Sequence, residues 1–333
     1  MNAKQIVLDS RPEGMPTLEN FKQTSVELPT IQDGEFLVKN LWMSVDPYMR
    51  GRMIDRESYI APFQIGQVLE GGSIGEVVES NHPEFPVGSK VSAMQGWRSH
   101  YITEGRGHTR LPQTPLNESH FLGVLGMPGM TAWTGLTRIA ALKEGDTLFV
   151  SGAAGAVGSV ACQLGKLIGA QVVASVGSDE KAAHLRELGV DAVINYKTTN
   201  DLSTALKQAA PQGIDVYFEN VGGEHLTAAL NNMNDHGRIA VCGMISQYNE
   251  TTPTPGPNNL AMIIVKKLKL EGFIVFDHWE HYPEFAKQMG QWLATGAIKA
   301  EQTIYQGLEQ APAAFIGLFE GKNRGKMVVK LSE

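Results

Sequence analysis

Cysteine is almost missing from this chain, with two residues, Cys162 and Cys242, in 333. Two thiols can build neither a disulfide framework nor a four-cysteine zinc site, and both read as small buried apolar residues. None of the 9 histidines stands in H-E-x-x-H or a comparable ligand spacing, so the sequence points to no metal centre. Basic clusters are as scarce, the densest being Lys266, Lys267 and Lys269. With 28 basic and 35 acidic residues the net charge is −7, which argues against a nucleic-acid partner or an anionic membrane. The start from Met1 to Ser10 lacks the basic and apolar regions of a secretory signal. Long apolar runs are few. The uncharged stretch from Thr147 to Gly165 approaches a membrane-spanning length, but its glycines, Ser151, Ser159 and Gln163 break it into strand, turn and helix. A soluble, cytoplasmic protein is expected.

What is present is an ordinary globular content of hydrophobic residues, 42%, in a chain long enough for two domains. The organising stretch is TLFVSGAAGAVGSVACQLGKLIGAQVVASVGSDEK, Thr147 to Lys181. Its short apolar run, Leu148 to Val150, suits a buried parallel strand. Gly152, Gly155 and Gly158 follow at three-residue spacing and open a helical pattern. Such a turn aims the free N–H groups of a new helix at an anion, and its small residues let a pyrophosphate approach the backbone. A dinucleotide is the expected ligand, although Ala153 fills the first glycine slot of the G-x-G-x-x-G version and an ordinary tight turn is the alternative. Readers of a ribose 2′-hydroxyl place Asp or Glu at the end of the second strand. Ser175, Val176 and Gly177 stand there instead, and Lys181 follows one helical turn on, a pattern that admits a 2′-phosphate and favours NADP(H).

From Lys4 to about Leu111 short strand-like runs alternate with Gly and Pro: Glu35 to Leu41, Gly66 to Leu69, Ser73 to Val78 and Lys90 to Met94. They predict a compact, barrel-like β domain. The segment SVDPYMRGRM, Ser44 to Met53, reads either as a functional loop or as a well-packed corner. Beyond Val124 strands and helices alternate regularly. Strands are expected at Leu148 to Ser151, Val172 to Val176, Ala192 to Tyr196, Asp215 to Asn220, Arg238 to Cys242 and Leu268 to Val275. Helices are expected at Ala156 to Ile168, Lys181 to Leu188, Leu202 to Ala209, Glu224 to Met233 and Leu260 to Val265. This is the pattern of a doubly wound parallel sheet. A helical run from Tyr282 to Gly296, a strand at Ile298 to Tyr305, a helix at Ala311 to Phe319 and a last strand at Lys326 to Leu331 complete the chain. The final strand has no following helix, so the chain is expected to return to its first domain, giving boundaries of 1–124, 125–297 and 298–333.

In an open parallel sheet the ligand lies beyond the carboxyl ends of the strands. The residues there include Asn195, Tyr196, Asn220, Gly222, Gly223, Gly243, Ser246, Tyr248, Asp277, His278 and Trp279, with no nucleophile–base pair and no adjacent carboxylates. Hydride transfer needs neither, because a cofactor carries the reaction and the protein positions it and stabilises charge.

Taken together, SVDPYMRGRM, LGVLGMPGMTAW, SGAAGAVGS, GSDEK, INYKT, YFENVGGE, VCGMISQYN, EGFIV and GKNRGK resemble the zinc-independent medium-chain dehydrogenases and reductases. Within them the chain is most similar to the prostaglandin reductase and 2-alkenal reductase branch, closest to its bacterial NADPH-dependent curcumin reductase members. The resemblance implies a Rossmann domain inserted in a GroES-like β-barrel catalytic domain, a homodimer, and NADPH-dependent reduction of the carbon–carbon double bond of α,β-unsaturated ketones and aldehydes. It places Ala153, Ala154, Gly155, Ala156, Val157 and Gly158 at the pyrophosphate and Lys181 and Tyr196 at the 2′-phosphate and adenosine. Asn220, Cys242, Gly243, Ile245, Ser246, Tyr248, Phe273, Ile274, Val275 and Asn323 approach the rest of the cofactor, and Met127 and Thr131 the nicotinamide. Tyr248 is the first candidate to donate to the substrate carbonyl and Tyr59 the second. An apolar pocket for a small conjugated substrate is expected among Tyr48, Met49, Tyr59, Phe63, Met94, Trp97 and Trp279. The rival activities are a quinone oxidoreductase and a non-catalytic, crystallin-like NADPH-binding protein.

Overall fold

The computed structural model describes residues 1–331, so the last two positions of the expected 298–333 return lie outside the described residues. The chain divides into two compact units. The first holds Met1–Leu122, Gln302–Asn323 and residues from 327 onward; the second holds Gly123–Glu301 and Arg324–Lys326.

In the first unit the strands are β1 (Asn2–Leu8), β2 (Phe21–Glu27), β3 (Phe36–Ser44), β4 (Ser73–Ser80), β5 (Lys90–Ala93), β6 (His100–Thr103) and β7 (Thr109–Arg110), with a short helix α1 (Tyr48–Arg52) after β3. Of residues Gly66 to Leu69, expected as a strand, Val68 makes an isolated bridge to Val7, and Ile65 just before them bridges Leu8. Gly66 takes a positive φ, which breaks the extended run a ladder needs.

The segment from Ser44 to Met53 is a packed corner with a helical turn in it. Met49, Arg50, Arg52 and Met53 are buried. Burying two guanidinium groups demands acceptors, and carbonyls supply them. Arg50 donates to Pro12 O and Gly14 O, while Arg52 donates to Ala61 O and to the Glu70 carboxylate and lies over the Phe63 ring. The expected apolar pocket is therefore corrected in part. Met49, Phe63 and Trp97 belong to the core of this unit with Phe21, Phe315 and Met327, and the Trp97 ring stacks on Phe21 at 5.9 Å. Apolar bulk in loop-like sequence went to fill the core that short strands leave open. Tyr59, Met94 and Trp279 remain exposed to solvent.

The second unit begins with α2 (Met127–Thr134), which runs into a wider turn at Gly135–Ile139. Then β8 (Thr147–Val150), α3 (Ala156–Ile168), β9 (Gln171–Val176), α4 (Asp179–Glu187), β10 (Ala192–Asn195), α5 (Leu202–Ala209), β11 (Ile214–Glu219), α6 (Glu224–Asn232), β12 (Met233–Val241), α7 (Met262–Val265), β13 (Lys269–Gly272) and α8 (Tyr282–Thr295) follow. The six strands form one wholly parallel sheet in the order β10-β9-β8-β11-β12-β13. The reversal of strand order falls between β8 and β11, where a doubly wound sheet opens a crevice for a ligand. Differences from the sequence expectation are local. Helix α4 starts at Asp179 because the Ser178 hydroxyl accepts from Lys181 N and caps it. Strand β13 stops at Gly272, so Phe273 to Val275 leave the ladder.

The chain ends with β14 (Gln302–Gln306), α9 (Ala311–Phe319) and β15 (Lys326–Lys330). Strands β14 and β15 join the first unit's sheet, in the order β14-β15-β3-β4-β5-β7 with β6 also on β3, and β15 pairs antiparallel to β3. Among the described residues no helix is long and apolar enough to cross a membrane.

Helix α3 lies close on the sheet because Gly165 has no side chain. A Cβ there would stand 2.6 Å from Leu148 Cδ2 and 2.9 Å from Val172 Cγ2. Overpacking of this kind typically costs about 1–3 kcal/mol. Gly165→Val is expected to lower the unfolding free energy by that amount, seen as a lower urea midpoint at an unchanged m-value. An unshifted midpoint would mean the helix does not need this contact.

Candidate active site

The site is built at the carboxyl ends of β8, β9, β11 and β12. Gly152 follows β8 at a φ of 58°, the left-handed region open to glycine. Gly158 lies so close to the turn that a Cβ on it would stand 2.5 Å from Gly152 O. Between them Ala153 N donates to Ser175 O at 3.1 Å, tying the turn to β9. Helix α3 opens at Gly155 with no side-chain cap and no acidic residue in its first turn. Its leading N–H groups are thus offered to an anion rather than to the protein's own carboxylates. The turn is held from a further side by a residue the sequence reading missed. Gly325 N donates to Ala154 O at 2.9 Å. A Cβ on Gly325 would stand 2.1 Å from Glu301 O at a φ of 63°. The GKNRGK motif contained this glycine but gave no sign of its partner.

Beyond β9, Gly177 makes a second cradle. A Cβ on it would meet the Tyr196 hydroxyl at 2.8 Å and Lys197 Cε at 3.2 Å. Burial lowers the Lys181 pKa, and the positive charge of Lys197 lowers it further while Glu180 opposes. Two ammonium groups therefore share one end of the site. Asp179, the nearby carboxylate at the start of α4, is turned aside, accepting from Asn195 Nδ2 at 2.8 Å. Asn195 Oδ1 in turn accepts from Lys197 N at 3.2 Å, which fixes the turn that carries Lys197. The sequence reading named Lys181 and Tyr196 but not Lys197. Tyr196 packs edge-on against His225 at 4.9 Å, and burial pushes that imidazole down to about 4, so it is neutral at physiological pH. Two cations and a hydroxyl fit the 2′-phosphate of NADP(H).

At the other end Glu219, Asn220, Cys242, Gly243, Ile245, Ser246 and Tyr248 form one hydrogen-bonded group. Asn220 donates from its backbone N to Ser151 Oγ at 2.9 Å and from Nδ2 to Ser151 O at 2.7 Å. Glu219 O accepts from Cys242 N at 2.9 Å and Gly243 N at 3.1 Å. Asn220 O accepts from Ile245 N and Val221 O from Ser246 N, each at 3.1 Å. The turn this anchors ends at Tyr248, whose hydroxyl lies 3.1 Å from the place a Cβ on Gly243 would occupy. Glu219 itself has no exposed surface. Burial raises its pKa, and the adjacent Tyr217 hydroxyl, with hydrogen bonds from Gly222, Val221 and Ser151, opposes that rise. Burial, with the Glu219 charge, pushes the Cys242 thiol up to about 12, which leaves it protonated and unreactive.

The remaining expected residues are less closely joined. Thr131 is buried on α2, and its hydroxyl donates to Met127 O at 2.8 Å. Phe273 packs near Gly135 and edge-on to Phe218 at 6.5 Å. Val275 is buried, and Ile274 lies beside it. Asn323 and Tyr59 belong to the first unit, and Tyr59 is 61% exposed.

The N-terminal domain of oxidoreductase family matches residues 4–111 and the zinc-binding dehydrogenase family residues 156–292. Among the described residues no three His, Cys, Asp or Glu side chains come together to hold a metal, so the donor set does not fit a zinc ion. The chain is 44% identical to the NADPH-dependent curcumin reductase of Escherichia coli, over 98% of this chain and 96% of that protein. It is 42% identical to a 2-alkenal reductase (NADP(+)-dependent) of Nicotiana tabacum, over 99% and 97%. The crystal structure of CurA from Vibrio vulnificus in complex with NADPH superposes with a TM-score of 0.94 at 46% identity, covering 99% of each chain. With the open parallel sheet and the two-lysine cradle, these likenesses show that the chain belongs to the medium-chain dehydrogenase/reductase family, in its prostaglandin, 2-alkenal and curcumin reductase branch.

Proposed function

We propose that this protein reduces the carbon–carbon double bond of α,β-unsaturated ketones and aldehydes with NADPH in the cytoplasm. The carrying observation is the full-length likeness to relatives named for curcumin and 2-alkenals, both conjugated carbonyl compounds. Tyr248, standing at Gly243 on a segment tied to the ends of β11 and β12, supplies the group such a reaction needs.

When bound, NADPH supplies the hydride that reaches the β-carbon of the enone. Negative charge then gathers on the substrate's carbonyl oxygen, where a positioned hydroxyl stabilises it. Tyr248 is the donor we assign to that oxygen, directly or through the ribose hydroxyl, and Tyr59 is the second candidate. A proton added at the α-carbon completes the saturated product. Ala153 to Gly158 hold the pyrophosphate, with Gly325 fixing their backbone. Lys181, Lys197 and Tyr196 hold the 2′-phosphate, and Asn220, Cys242, Gly243, Ile245, Ser246, Phe273 to Val275, Asn323, Met127 and Thr131 surround the remainder.

We also assign a homodimer formed along β13. That strand is one of the two edges of the parallel sheet, and Ile264, 81% exposed, and Val265, 60% exposed, stand just before it. A bare edge beside exposed apolar side chains is a surface proteins ordinarily cover. Ile264→Glu is expected to shift the solution mass from dimer to monomer by light scattering; a mass unchanged by dilution and by this variant would place the contact elsewhere.

The reaction is tested by NADPH consumption with an enone, an enal, curcumin, a quinone and a saturated aldehyde, identifying the bond reduced. Saturated ketone and aldehyde products are expected; turnover of the quinone alone would indicate quinone reduction. Tyr248→Phe is expected to raise the barrier by about 2.7 to 4 kcal/mol, seen as a fall in kcat, and full turnover would remove that role. Lys181→Ala is expected to weaken NADPH by about 1.5 to 3 kcal/mol and leave NADH nearly unchanged. Lys197→Ala should repeat this selectivity with a smaller loss, and equal effects on both cofactors would move the phosphate site.

A further inference from the structure

The reading of Tyr248 and Asn220 as site residues leaves open what sets their positions, and the geometry points to Glu219 as the positioning residue for both; this inference rests on that reading. One oxygen of the buried carboxylate, Oε1, accepts from Ser151 Oγ at 3.0 Å, Val221 N at 2.7 Å and Gly222 N at 2.9 Å. A serine hydroxyl has one hydrogen and two acceptor sites. The hydrogen of Ser151 is committed to Glu219, so its lone pairs accept from Tyr217 Oη at 3.0 Å and Asn220 N at 2.9 Å. Glu219 thereby orients the Ser151 hydroxyl, which holds the Asn220 backbone, and Asn220 Nδ2 reaches the main-chain oxygen of the same serine.

A second path runs through the turn. With Val221 N and Gly222 N held on the carboxylate, Asn220 O and Val221 O face Ile245 N and Ser246 N, each at 3.1 Å. Tyr248 N then closes on Ile245 O at 3.2 Å. The main-chain oxygen of Glu219 meanwhile takes Cys242 N and Gly243 N, the backbone facing Tyr248. One residue thus sets the ends of β8, β11 and β12. An apolar residue of the same size would fill the space but leave three buried donors without an acceptor, and the turn would be free to move.

The experiment is a pair of double-mutant cycles, read by NADPH titration and by kcat with an enone. Glu219→Leu is expected to weaken NADPH by about tenfold or more and to lower kcat by a similar factor. Glu219→Gln keeps an oxygen before the same three donors and is expected to restore most of the affinity. If Glu219 acts through its two dependants, adding Glu219→Leu to Asn220→Ala costs NADPH affinity less than about threefold more, and adding it to Tyr248→Phe costs kcat as little. Full multiplication of the single losses, or NADPH affinity in Glu219→Leu within about threefold of the parent, would overturn the assignment. Should Glu219→Leu fail to fold, Ser151→Ala breaks the same link, and losses independent of Asn220→Ala would overturn it equally. If Tyr248→Phe keeps full turnover, the catalytic reading of Tyr248 falls, and the NADPH cycle alone decides Glu219.

Discussion

A carboxylate with no solvent around it has to be met by hydrogen-bond donors, and in this protein those donors are the ends of the strands that form the site. Glu219 collects Ser151, Val221 and Gly222 on its side chain and Cys242 and Gly243 on its backbone. Loops at the edge of a parallel sheet are ordinarily its most variable part. Here they are tied to a group whose burial makes every lost bond expensive, so the loops inherit the rigidity of the core. The carboxyl edge becomes a defined surface on which a cofactor can be held.

The opposite end of the site follows a different physical rule. Charge and close approach organise it. Gly158 and Gly177 remove side chains where backbone or a ligand must come near, and Lys181 and Lys197 gather positive charge around Gly177. Asp179 would repel a phosphate, but Asn195 holds its carboxylate at 2.8 Å. A dianion close to both lysines would relieve their mutual repulsion.

Much of the cofactor unit was legible in the sequence because it is a succession of local patterns. The run Leu148 to Val150 and the helix Ala156 to Ile168 appear in the structure almost where apolar periodicity put them. Boundaries moved where a side chain intervened, as Ser178 did in starting α4 early. The first unit was harder to read. Its aromatic and methionine residues look alike in sequence whether they line a pocket or fill a core. Met49, Phe63 and Trp97 proved to be core, since short strands around a packed corner leave space that only bulky side chains fill.

By itself the sequence determined the alternation of strands and helices, the glycine turn, the absence of an acidic residue at the end of β9, and membership of a family through motifs spread along the chain. These are properties of neighbouring residues, which local propensity and spacing express. Only the tertiary structure decided that Gly325 clamps a turn 171 positions before it at Ala154, that Lys197 joins Lys181, and that Glu219 gathers three strand ends. Each depends on residues distant in the chain meeting at one place, and a hydrogen bond or a charge pair leaves no periodic trace in the sequence of either partner.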